Sequence, residues 1–207
     1  MLRFWLPPVL LLSTLFALFI SVVNARPYNN PDLRSFLQNA QNCEVPCWEG
    51  IQPGVTSMSE IQLLLENHAW VREVTFTPTT EPDSGFVTWT WDQPPASLID
   101  TTRQGEAGIN DGIVSWLQIP TAVSFGDVWL TMGPPSLGRT VVMRRPTHFV
   151  RHYAAYDAVS VQVRYTIPCA WSPGDLWQTQ VSLWLGVPQS VTQLPDYVRP
   201  PRRGCAA

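Results

Sequence analysis

Two stretches of the chain alternate strictly between apolar and polar residues. Val87, Trp89 and Trp91 interleave with Thr88, Thr90 and Asp92; Val159, Val161, Val163 and Tyr165 interleave with Ser160, Gln162 and Arg164. Successive strand side chains point to opposite faces, so each run predicts a strand with one buried face. Such strands need apolar elements to cover that face, and the same sequence supplies them.

Two helix signals precede the two sets of strands. Ser57 stands three residues before Glu60, and Met58, Ile61, Leu64 and Leu65 follow on one helical face. Ser124 stands likewise before Asp127, and Phe125, Val128 and Met132 repeat the spacing of Met58, Ile61 and Leu65 at an offset of 67 residues (58 to 125). Gly133-Pro134-Pro135 ends the second helix. Strands are expected around Val74–Phe76, Val87–Trp91, Gly105–Ile109 and Ile113–Ile119, the last two joined by a tight turn at Asn110-Asp111-Gly112. A second set is expected at Arg139–Arg145, Phe149–Tyr153, Ala158–Tyr165 and Thr179–Leu185. The last segment also fits a helix through Trp177, Val181 and Trp184, and the strand completes a second four-stranded sheet. The fold class is therefore α+β, with two helix-plus-antiparallel-sheet modules over residues 43–119 and 120–207. Internal duplication and chance alternation both account for the pattern.

Residues 1–25 set the compartment. Arg3 precedes an apolar run from Phe4 to Val23, and Val23-Asn24-Ala25 has the small-residue form of a cleavage site. The segment reads as a secretory signal or, uncleaved, as an N-terminal membrane anchor, with cleavage after Ala25 the expectation. Residues 26–42, with Pro27, Asn29, Asn30 and Pro31, are expected to form a linker in which Leu33–Gln41 has helical character. The mature chain is thus expected outside the cytoplasm, secreted or tethered through residues 4–23. Cys43, Cys47, Cys169 and Cys205 fit that compartment as two disulfides, and three pairings are possible. The short Cys43–Cys47 spacing favours one small loop and a second bridge from Cys169 to Cys205. A zinc site lacks paired ligand spacing at His68, His148 or His152.

Composition excludes several function classes. Charged residues are 14% of the chain against 45% hydrophobic, with 10 Trp, which is unlike a disordered segment. The net charge of −3 gives no bulk attraction to nucleic acid. All 13 basic residues are Arg, so Schiff-base and phosphate-loop lysine chemistry are excluded. Charge is uneven: residues 26–119 hold 4 Arg and 12 acids (−8), and residues 120–207 hold 8 Arg and 4 acids (+4).

Pro46-Cys47-Trp48-Glu49-Gly50-Ile51-Gln52-Pro53-Gly54-Val55-Thr56 resembles a Pro-Cys-Trp-x-Gly-Ile-x-Pro-Gly-x-Thr motif of uncharacterised exported bacterial proteins. That resemblance implies no catalytic residues. Pro-Gly-x-Thr leading into a helix is also distantly similar to modules of the outer-membrane assembly lipoproteins and of the beta-lactamase inhibitor protein. This implies helices stacked on a four-stranded antiparallel sheet and function by binding proteins.

No nucleophile elbow, His-Glu-x-x-His or phosphate loop occurs, and no catalytic, cofactor-binding or metal-binding residue is assigned. Arg144, Arg145, His148, Arg151 and His152 form a candidate anionic-ligand patch, with the two histidines read as exposed sheet residues. His68 is expected at a helix end, and Trp89 and Trp91 in the core rather than as a sugar platform. The expected function is an extracytoplasmic, non-enzymatic binding or structural module of the cell envelope. The alternative is an extracytoplasmic hydrolase acting on envelope polymers. The expected partner is a protein or envelope component, with no cofactor, no nucleic acid, and membrane contact only through residues 4–23.

Overall fold

The computed structural model describes residues 2–24, 30–38, 46–143, 149–156, 160–169 and 171–186. The chain forms two compact units, Met1–Asn30 and Pro31–Ala207. The first contains helix α1 (Leu2–Asn24). Its described side chains, Val9–Ser21, are all exposed, including Leu12 at 68% and Phe19 at 70%. Among the described residues no helix is long and apolar enough to cross a membrane.

In the second unit the order is α2 (Pro31–Gln38), α3 (Met58–Glu66), β1 (Val71–Pro78), β2 (Gly85–Trp91), β3 (Gly105–Asn110), β4 (Ile113–Ser124), α4 (Phe125–Met132), β5 (Leu137–Met143), β6 (Phe149–Tyr156), β7 (Val161–Pro168), α5 (Pro173–Gln178) and β8 (Gln180–Leu185). The class is α+β. Sequence alone predicts two four-stranded sheets; the structure joins all eight strands in one antiparallel sheet, ordered β1-β2-β3-β4-β8-β7-β6-β5. The seam is β4 against β8, with Leu117 opposite Leu185 and Ile119 opposite Leu183. A separate sheet would leave each of these strands an edge with unpaired backbone groups, and pairing them removes both edges.

Parity then sorts every side chain. One face carries Val87, Trp89, Leu117, Ile119, Leu183 and Val163, all at most 4% exposed. Ile61 and Leu65 of α3 and Phe125 and Val128 of α4 are buried in the same core. Ser57 and Ser124 cap these helices through complete capping boxes with Glu60 and Asp127. The Glu60 carboxylate accepts from the Ser57 N–H at 2.8 Å and hydroxyl at 2.7 Å. These hydrogen bonds hold the Glu60 carboxyl below its ordinary value.

Four details differ from the sequence-based expectation. Leu33 and Leu37 of α2 are buried in the core, so the unit begins at Pro31 and not at 43. A third capped helix, α5, begins at Ser172-Pro173 with Asp175 completing its box. Met132 is only half-buried. β7 begins at Val161, because Ser160 adopts φ 50°, outside the extended region.

The residues 46–56 motif is a docking turn. Gly50 (φ 83°) and Gly54 (φ 84°) occupy left-handed backbone regions that favour glycine. The Thr56 hydroxyl accepts from the Gln52 N–H at 2.8 Å, and the Gly54 N–H donates to the Val114 carbonyl at 2.7 Å. Trp48 enters the core, 3% exposed, and stacks on Trp89 with ring centroids 5.9 Å apart. The motif thus delivers the chain to the Ser57 cap against β4.

The α3 face yields a stability test. Leu65 is 1% exposed while Glu66 is exposed. In urea melts Leu65→Ala is expected to cost roughly 2–5 kcal/mol by leaving a cavity. Glu66→Ala should stay within about 0.5 kcal/mol.

Candidate functional site

The helices cover one face of the sheet; the other carries polar, aromatic and arginine side chains. Cross-strand partners Glu106–Gln118, Gln118–Trp184 and Gln162–Trp184 form one row of that face across β3, β4, β8 and β7. The next row runs Ser182–Arg164–Tyr153–Arg139, and beyond it Arg151 stands opposite Thr166.

A ladder of rings crosses this face. Phe86 approaches Trp116 at 6.3 Å between centroids, and Trp116 stacks on Trp184 at 4.8 Å. The Arg164 guanidinium lies 3.3 Å over the Trp184 ring and 5.1 Å from that of Tyr153. A planar cation is attracted to ring faces, so Trp184 on β8 and Tyr153 on β6, the strands flanking β7, both hold Arg164. Gly108 makes room for it: a Cβ there would lie 2.3 Å from Trp116 Nε1. The Arg164 Nε–H donates to Gln162 Oε1 at 2.6 Å, which fixes the rotation of the fork. Burial lowers the Arg164 pKa to about 10; the nearby Tyr153 opposes this and the like charge of Arg151 adds to it. The group remains cationic at neutral pH.

Beside the ladder lies a cavity of about 680 Å³ at the β4–β8 seam. Arg103, Arg151 and Arg164 line it, with Asp100 the only carboxylate among its described lining residues. Arg103 reaches in from the β2–β3 connection and donates from Nη1 to Ser182 Oγ at 3.0 Å. Asp100 Oδ1 accepts from the Thr102 hydroxyl at 2.6 Å and N–H at 3.0 Å. Among the described residues none of the three arginines forms an ion pair; the two ion pairs found are His68–Glu49 and Arg72–Asp92. Among the described residues the hollow is therefore rich in hydrogen-bond donors and in guanidinium charge.

Of the patch expected from sequence, Arg151 is exposed and lines the cavity. Arg144, Arg145 and His148 lie outside the described residues. His152 is not an exposed sheet residue: it is 1% exposed on the core face, with Nδ1 2.7 Å from the Thr140 hydroxyl. Neighbours on a strand face opposite ways, so Arg151 and His152 cannot share a surface. His68 Nδ1 accepts from the Trp70 N–H at 3.2 Å, and Nε2 faces Glu49 at 3.5 Å. Both ring nitrogens are therefore engaged. Trp89 and Trp91 are core residues, 1% and 5% exposed. Cys47 and Cys169 are not free thiols, and Cys43 and Cys205 lie outside the described residues. No group of three potential metal ligands occurs among the described residues.

Sequence reasoning missed Arg103, Arg164, Trp116, Trp184 and Tyr153. Parity was the available signal: Arg164 lies between Val163 and Tyr165, and Trp184 between Leu183 and Leu185, so both project from the polar face. Their convergence depends on the seam.

Burial lowers the His152 pKa from 6.5 to about 4. Between those values the unfolded chain binds a proton that the folded chain refuses. Stability is therefore expected to be full above pH 6.5 and to fall by roughly 3 kcal/mol as the pH drops toward 4. Urea melts from pH 7.5 to 5 check this, and His152→Gln should flatten the slope.

No protein-family model, curated protein or solved structure matches the chain.

Proposed function

We propose that this chain is an extracytoplasmic, non-enzymatic binding module of the cell envelope that works through the open face of its sheet. The observation that carries the reading is a group of three arginines that form no ion pair among the described residues, lining a broad hollow, with Arg164 held against an aromatic ladder. Aromatic and arginine side chains concentrate binding energy at recognition surfaces. A hydrolase is less well supported: His68 has both nitrogens occupied and His152 lies in the core.

The two modules are part of the same proposal. Each runs helix, then four antiparallel strands, the second set with α5 inserted between β7 and β8, and their strand orders mirror one another about the seam. With the matched boxes at Ser57–Glu60 and Ser124–Asp127, this supports an internal duplication. The helix-and-sheet form also accords with what the distant similarity of Pro53-Gly54-Val55-Thr56 to modules of the outer-membrane assembly lipoproteins and the beta-lactamase inhibitor protein implies. The apolar run in α1 supports export, with Cys43–Cys47 and Cys169–Cys205 as disulfides.

Capture experiments test the surface. Mature protein immobilised against its own envelope extract should retain a component that Trp116→Ala loses by about tenfold or more. Leu130→Ala, at a 52% exposed position on α4, should retain it. Equal capture by both variants would defeat the open-face reading.

Export and pairing are tested together. Mass spectrometry of the native protein should find Arg26 at the N-terminus, and non-reducing peptide maps should link Cys43 to Cys47 and Cys169 to Cys205. An intact Met1 in the membrane fraction would mean an anchor, and a Cys43–Cys169 link would reject the pairing.

A further inference from the structure

Resting on the open face as the binding surface, the geometry points to a phosphate monoester of a polyhydroxy compound, such as a sugar phosphate, as the ligand of the β4–β8 cavity. The charge balance of the cavity comes first. Among the described residues three guanidinium groups and one carboxylate line it, a charge of 3 − 1 = +2 from those residues. A phosphate monoester carries close to two negative charges above its second pKa of about 6. A carboxylate ligand would leave one positive charge uncompensated. Glu106, opposite Gln118 on the same face, does not line the cavity.

The donors are the second argument. Arg164 has its Nε–H committed to Gln162 and its guanidinium against the Trp184 and Tyr153 rings, which leaves the two Nη groups as an oriented fork. Such a fork matches two oxygens of one oxyanion. Arg103 donates to Ser182 Oγ, so the Ser182 hydroxyl proton is available to a third oxygen. Ser182 is itself 6% exposed and lies directly across from Arg164. These groups come from the β2–β3 connection, β7 and β8 and meet on one hollow.

Size and lining decide the rest of the ligand. A volume of about 680 Å³ is that of a drug-sized ligand site and far exceeds one phosphate group. The remaining walls include amides and hydroxyls, from Gln118, Gln180 and Thr166, together with Trp184 and Tyr165. The amides and hydroxyls give and accept hydrogen bonds with a hydroxyl-bearing body.

Calorimetry on the mature protein tests this with glucose 1-phosphate, glucuronate and glucose as probes, at physiological salt. The expected result is saturable 1:1 binding of glucose 1-phosphate and at least about tenfold weaker binding of glucuronate, with none of glucose. Arg164→Gln and Arg103→Gln should each weaken binding by about tenfold or more, the loss of one charge-assisted hydrogen bond. Arg103 is exposed, so its variant serves if Arg164→Gln fails to fold. Absence of saturable binding, indifference to both substitutions, or glucuronate binding as well as the phosphate would each overturn the assignment. If glucose 1-phosphate fails while Trp116→Ala still abolishes capture, only the ligand class falls; if both fail, the open-face reading falls with it.

Discussion

The antiparallel pairing of β4 with β8 is the contact on which the rest of the second unit depends. It turns two meanders into one eight-stranded sheet and places Leu117 against Leu185 and Ile119 against Leu183 on the covered face. It also sets Gln118 beside Trp184 and Pro120 beside Ser182 on the open face. Because strand side chains alternate with period two, a one-residue slip at this seam would exchange the two faces. The apolar residues of both meanders resist that slip together, so the burial that stabilises the fold also fixes the position of the cavity.

The same coupling explains how Arg164 is held. Its side chain is partly withdrawn from water, which disfavours its charge, and among the described residues no carboxylate pairs with it to offset the cost. The Trp184 and Tyr153 rings and the Gln162 amide offset it instead. These partners are neutral, so the full positive charge remains available to an incoming anion. A salt bridge at this place would have held the side chain equally well and cancelled its field.

Much of the covered half was legible in the chain. Ser57 with Glu60 and Ser124 with Asp127 announced two helices, because a hydroxyl and an acid three residues apart satisfy backbone donors that a helix start leaves open. The alternation about Trp89 and about Val163 announced strands. His152 was correctly grouped on one face with Val150 and was misplaced because that face was taken as the exposed one; Val150 and Ala154 share its core face at 1% and 0% exposure. Leu33 and Leu37 were set in a linker because their short segment is rich in proline and asparagine at its start. Their role shows only once a core exists to receive them.

Local sequence determined what local physics controls: where helices start, which residues of a strand share a face, and the apolar character of residues 4–23. Tertiary structure alone decided which strands lie side by side. Arg103, Arg151 and Arg164 are distant in the chain, and no spacing brings them together. They meet because the β4–β8 seam and the β6–β7 hairpin set their strands in adjacent positions. Strand pairing is a choice among edges that differ little in their own backbone chemistry. It is settled by the sum of buried contacts over the whole sheet, and that sum is not contained in any window of the sequence.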